Sequence, residues 1–99
     1  MTTFFVTRHP GAVEWAERHD LKVDRWVEHL DSAAVAAGDI VIGTLPVHVA
    51  AEVCARGARY LHLVVDVPAS HRGRELSADE LERFGADLRG YRVLAEDGV

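Results

Sequence analysis

The sequence predicts a small α/β fold: a Rossmann-like, three-layer domain with a mostly parallel sheet of four to five strands. Three observations carry that expectation. Segments that read as strands alternate with helical segments, in the order strand, helix, strand, strand, helix, strand, helix. The first strand, around Phe4-Phe5-Val6, is continuously apolar rather than alternating, as in a strand covered on both faces. Residues 39–42 form a second, nearly all-apolar run that passes through Gly43-Thr44 straight into a helical pattern. That last arrangement directs free backbone N–H groups and the positive end of a helix dipole at whatever lies above the turn, where an anion such as phosphate is a natural guest. It is equally the geometry of a plain strand-to-helix connection.

Taken in order, Thr3 to Thr7 is a strand, because its core is aromatic and β-branched. Arg8-His9-Pro10-Gly11 is a turn, on the strength of Pro-Gly. Ala12 to His19 reads as a helix, poorly terminated by Asp20. Residues 21–30 fit both periodicities: Val23, Trp26, Val27 and Leu30 at helical spacing, Val23, Arg25 and Val27 in alternation. A strand is favoured there because the α/β order calls for one. The alanine-rich run 31–38 allows one helical turn before Gly38-Asp39. The strand at 39–42 leads to a helix over about 46–56, with Pro46 suited to its first turn and Gly57 to its C′ position. Arg59 to Val67 is the next strand, closed by Pro68, and 69–75 is a polar loop. Ser77-Ala78-Asp79-Glu80 is a capping box. The helix it opens is expected to reach about Arg89 with Leu81, Phe84 and Leu88 inward, followed by Gly90 and a short strand from Tyr91 to Leu94. The tail 96–99 is expected to fray.

Composition bounds the function. A chain of 99 residues, 48% hydrophobic with both charge signs interspersed, suits one domain, 1–99, with a real core. Its buried area is limited at that size, and dimerisation would add to it. A net charge of −5 argues against a coat for duplex nucleic acid, yet allows a small anionic ligand held by local cations. The single cysteine, Cys54, makes no internal disulfide and suits a reducing compartment. No apolar run approaches the ~18 residues of a membrane span, and Met1-Thr2-Thr3-Phe4-Phe5 lacks the basic start of a signal peptide. A cytoplasmic protein is expected.

In parallel α/β sheets, ligands bind beyond the carboxyl ends of the strands. That rule gathers one candidate site from three loops. The first supplies Thr7, Arg8, His9 and Pro10. The second supplies Gly43, Thr44, Leu45 and, one turn on, His48. The third supplies Asp66, His71, Arg72 and Arg74. Arg8 is a phosphate clamp or a surface cation; His9 is an acid/base or a turn residue. Thr44 binds phosphate or caps a helix. His48 faces the ligand or solvent, Asp66 orients a cation or ends a strand, and Arg72 and Arg74 close over a ligand or are merely solvated. His62, between Leu61 and Leu63, reads as a packed or hydrogen-bonded histidine. No His, Cys, Asp and Glu spacing marks a metal site, and no glycine fingerprint marks a dinucleotide or nucleoside triphosphate site. No cofactor is expected.

The blocks Phe5-Val6-Thr7-Arg8-His9-Pro10-Gly11-Ala12, Gly43-Thr44-Leu45-Pro46-Val47-His48, Tyr60-Leu61-His62-Leu63 and Arg72-Gly73-Arg74-Glu75-Leu76 resemble a small CRISPR-associated protein family of type III systems. The resemblance spans about residues 2 to 94. It implies kinship with the Rossmann-like folds that sense cyclic oligoadenylates, and a role similar to ring nucleases, which degrade cyclic tetra-adenylate and so switch off the antiviral response. It further implies a metal-independent homodimer. The residues suit such chemistry. A ribose 2′-OH attacks the adjacent phosphorus, the 5′-oxygen leaves, and a 2′,3′-cyclic phosphate remains, so the protein supplies positioning and charge stabilisation. Arg8 and the N–H groups around Thr44 would hold the developing charge, and His9 or His48 would move protons. A protein that sequesters the messenger without cleaving it is the alternative from a different class.

Overall fold

The computed structural model describes residues 1–97. The expected fraying of 96–99 falls partly on Gly98 and Val99, which lie outside the described residues. The chain forms a five-stranded sheet flanked by three helices. Strand β1 (Thr3–Val6) leads to α1 (Pro10–Arg18) and the short β2 (Arg25–Val27). Strand β3 (Ile40–Gly43) leads to α2 (Val47–Ala55) and β4 (Arg59–Val64). Helix α3 (Ala78–Arg83) precedes β5 (Asp87–Tyr91). The sheet order is β2-β1-β3-β4-β5. All neighbouring pairs are parallel except β4 with β5. This is the Rossmann-like α/β architecture that the strand–helix alternation predicts.

The continuous apolar run of β1 is explained by its two neighbours in the third dimension. Phe5 joins Ile42 and Leu63 against Trp15 and Ala16 of α1 and Leu81 of α3. Phe4 points the other way and joins Val41 and Tyr60 against Ala50 and Val53 of α2 and Val35. Successive side chains of a strand alternate faces, so a strand buried on both sides must be apolar at every position. Each core is one layer of a helix–sheet–helix sandwich.

Two carboxylates tie loops to the strand ends. The buried Asp39 accepts N–H bonds from Thr2 and Ala36, both at 2.9 Å, and these bonds hold its pKa below the ordinary aspartate value. Asp24 accepts the Thr3 N–H at 2.8 Å just before β2 begins.

The helix boundaries correct several expectations. Pro10 and Gly11 are the first residues of α1 rather than a turn, because Pro at the first helical position loses no hydrogen bond. Pro46 is instead the N-cap of α2, one residue ahead of its first turn. The strand within 21–30 exists but holds only three residues, and 31–38 contains a 3₁₀ turn, Ser32–Ala34, capped by Asp31. Strand β4 stops at Val64 rather than Val67.

The capping box at Ser77 forms as predicted, with Ser77 Oγ accepting the Glu80 N–H at 3.1 Å and Glu80 accepting the Ser77 N–H at 3.0 Å. The helix it opens ends at Arg83, not Arg89. Gly85, at φ 73°, takes the left-handed conformation that closes a helix, and the Ala86 N–H bonds back to Leu81 O at 2.9 Å. Leu88 and Gly90, expected in or just after that helix, lie in β5, which also replaces the strand expected at 91–94.

Candidate functional site

The order of strands reverses between β1 and β3. The chain leaves β1 for β2 on one side of the sheet and returns to β3 on the other. Helices α1 and α2 depart on opposite faces at that point, as their separate cores show. Such a switch point opens a crevice beyond the strand ends. A cavity of about 550 Å³ occupies it, reached by residues that follow β1, β2, β3 and β4.

The apolar part of the cavity comes from Val6, Leu30, Leu45, Val49 and Val65, among others. Its polar groups are few. Thr7, Arg8 and His9 follow β1, Glu28 and His29 follow β2, Thr44 follows β3, and Arg74 and Glu75 come from the segment before α3. Among the described residues Arg8 makes no ion pair, and it is exposed at the cavity. His9 Nδ1 lies 3.3 Å from Glu75 Oε1, and the His9 N–H donates to Thr7 Oγ1 at 3.1 Å. A carboxylate on Nδ1 fixes the ring and leaves Nε2 free to accept a proton. Gly11 explains how Glu75 comes so near: a Cβ at Gly11 would sit 2.0 Å from Leu76 O, so only glycine lets the 74–76 segment close on the start of α1.

The turn after β3 is held differently. The Leu45 N–H donates to Tyr60 Oη at 2.9 Å, and that oxygen is also 3.2 Å from Gly43 O and 2.6 Å from His62 Nδ1. Burial pushes the Tyr60 hydroxyl pKa up, so it stays protonated and can donate. One hydroxyl therefore fixes both sides of the Gly43–Leu45 turn. The Leu45 N–H is spent on this bond and is not available to a ligand. The amino end of α2 still borders the cavity through Pro46 and Val49.

Of the residues singled out in the sequence, Thr7, Arg8, His9, Gly43, Thr44, Leu45 and Arg74 meet at this cavity. Pro10 sits beside it, on a shallow groove that shares Thr7, Arg8 and His9. His48 is exposed in the first turn of α2 and does not line the cavity. Asp66 and Arg72 share a separate shallow depression, and Arg72 Nε donates to Val67 O at 3.3 Å. His71 lies 3.3 Å from Glu80 and packs edge-on against Phe84, a local structural role. Arg74 also pairs with Glu80, at 2.8 Å, and the capping bond from the Ser77 N–H, more than Arg74, keeps the Glu80 pKa low. His62 is hydrogen-bonded as expected.

The sequence pattern does not mark Glu28 or His29, and it offers Glu75 only as an alternative acid alongside Asp66 and Asp79. The acid of the site is therefore not Asp66 but the pair Glu28 and Glu75. Glu28 and His29 were hidden because the second strand was read as running to residue 30. Ending it at Val27 puts both residues just past a carboxyl end, where the ligand rule would have found them. Nothing local to Glu75 signals its pairing with His9.

A scan against protein-family models matches residues 4–94 to the family described as "Putative CRISPR-associated protein (Cas_VVA1548)". The chain belongs to this family. No curated protein and no solved structure matches it. The matched span takes in every strand and helix of the domain except Thr3 at the start of β1, so the switch-point cavity of this CRISPR-associated protein lies wholly within the family's extent. Among the described residues no helix is long and apolar enough to cross a membrane.

Proposed function

We propose that this CRISPR-associated protein is a ring nuclease: it binds cyclic oligoadenylate, foremost cyclic tetra-adenylate, in the switch-point cavity and linearises it, ending type III CRISPR signalling in the cytoplasm. The observation that carries this reading is Arg8, without an ion pair among the described residues, beside a His9–Glu75 dyad at the mouth of a largely apolar cavity. That set supplies a charge clamp and an oriented base, the two things that 2′-OH attack on phosphorus requires.

In the proposed reaction His9 Nε2 takes the 2′-OH proton as the O2′–P bond forms. Arg8 stabilises the charge on the phosphorane oxygens. The P–O5′ bond breaks, and the 5′-oxygen takes a proton from His29 or from water, leaving a 2′,3′-cyclic phosphate. His29 lines the same cavity and is better placed for that task than His48, which does not. Glu75 holds the protonated imidazole by its charge. A C2 homodimer with the ring across its axis would present two such sets to the four-membered ring.

The test is chromatography of products after incubation of rings of three, four and six adenylates in excess EDTA. Linear products with 2′,3′-cyclic phosphate ends are expected from the four-membered ring. Products that form only after magnesium or manganese is restored would refute the histidine-and-arginine mechanism. Binding without products would leave a sequestering protein in its place.

A further inference from the structure

The chain has two tryptophans, and they differ sharply. Trp15 is 3% exposed in the α1–α3 core, whereas Trp26 is 41% exposed on the edge strand β2. Parallel pairing places Trp26 opposite Phe5, and the two rings stack with centroids 4.9 Å apart at 22°. Phe5 is fully buried, so it fixes the indole plane from one side and leaves the other side open. That open side belongs to a groove of about 500 Å³ that also takes in Thr7, Arg8 and His9. These three residues and Glu28 are shared with the switch-point cavity, so groove and cavity are continuous around the turn after β1.

The remaining polar groups of the groove are carboxylates. Glu14 and Glu17 come from α1 and Glu28 from just past the end of β2. Glu14 is partly engaged by Arg18, at 3.4 Å. A flat aromatic surface with acceptor oxygens beside it and a cation at one end suits a planar base with an exocyclic amine, joined to a phosphate. The base stacks, the amine donates to a carboxylate, and the phosphate meets Arg8. A base that offers a carbonyl in place of the amine would turn oxygen toward oxygen.

We infer that Trp26 is the floor of a base subsite, which seats an adenine of the bound ring while Arg8 holds its adjoining phosphate; this rests on the cyclic oligoadenylate reading of the cavity. Glu17 and Glu28 are the acceptors for the adenine amine. Stacking tolerates any base, so Trp26 supplies affinity, and the carboxylates supply the preference for an amine.

Fluorescence and calorimetry separate this inference from the reading beneath it. The Trp15→Phe variant leaves Trp26 as the sole indole. Phenylalanine should be tolerated there, because the Trp15 indole N–H is buried without an acceptor. Titrating this variant with cyclic tetra-adenylate should quench its emission along the calorimetric isotherm. Should it fail to fold, the emission difference between wild type and Trp26→Leu gives the same reading. Trp26→Leu should weaken binding by roughly 5- to 150-fold while Trp26→Phe retains most of it. Cyclic tetra-uridylate should bind less tightly than the adenylate ring, and Glu17→Gln with Glu28→Gln should narrow that gap. Undiminished heat of binding in Trp26→Leu, with no change in Trp26 emission, overturns the base subsite and leaves the cavity reading intact. No heat with either ring removes both.

Discussion

Two strand-to-helix turns flank the cavity, and they are built on opposite plans. The turn after β1 presents open polar side chains. Among the described residues its Arg8 is exposed and unpaired, the His9 ring reaches only Glu75, and both side chains lie on the open rim. The turn after β3 presents a scaffold. Its Leu45 N–H and Gly43 O both meet the Tyr60 hydroxyl, which sits in the α2 core. On the proposed reading, the difference separates what would act on a ligand from what holds the crevice open. Substitutions in the first turn should change turnover and spare the fold. Substitutions behind the second should change the fold first.

The largest effect is expected at Arg8. Removing a donor aimed at developing charge typically costs about a hundredfold or more in rate. Arg8→Ala should lose that much turnover with an unchanged Tm, while Arg83→Ala, on the exposed side of α3, keeps wild-type rates. Thermal melts alongside single-turnover kinetics check this, and equal destabilisation by Arg8→Ala and Tyr60→Phe would erase the contrast between the turns.

Tyr60→Phe is expected to act next most strongly, and mainly on stability. It strips the acceptor from the Leu45 N–H and the donor from Gly43 O or His62, and an unsatisfied buried polar group costs about 1–3 kcal/mol. Denaturant unfolding should show that loss, with a smaller fall in turnover than Arg8→Ala gives. Wild-type stability would mean the turn is held by its flanking elements instead.

The smallest effect sharpens the scaffold half of the contrast. The Asp39 carboxyl, lowered by the N–H bonds from Ala36 and Thr2, has a folded-state pKa under the ordinary 3.8. Its stabilisation is therefore full above that value and is lost as pH falls through the folded-state value. Asp39→Asn should lower Tm at neutral pH, and the gap from wild type should narrow as pH falls below the ordinary aspartate value. A gap that stays constant with pH would assign the effect to shape rather than charge.

The sequence made the scaffold more legible than the chemistry. Continuous apolar runs forced β1 and β3 to be central strands, and Ser77 with Glu80 announced α3. The stop of α3 was missed because Leu81, Phe84 and Leu88 continue a helical spacing that Gly85 in fact interrupts. At the site, Arg8, His9 and Thr44 were legible because each directly follows a strand, and the ligand rule needs only strand ends. Glu75 was not, because it meets His9 across 66 residues of chain through the close approach at Gly11. Tyr60 was read only as part of a strand, since nothing local shows that its hydroxyl crosses to the neighbouring turn.

The most direct test of a ligand seated at the switch point is a titration of ¹⁵N-labelled protein with cyclic tetra-adenylate, followed by amide chemical shifts. Saturating shifts are predicted for Thr7 to His9, Glu28 and His29, and Thr44 and Leu45, with little change in Arg59, Tyr91 and Arg92. Those last residues line a separate cleft of about 590 Å³ at the β4–β5 edge. Shifts concentrated in that cleft, with the turn after β1 unmoved, would contradict the switch-point site.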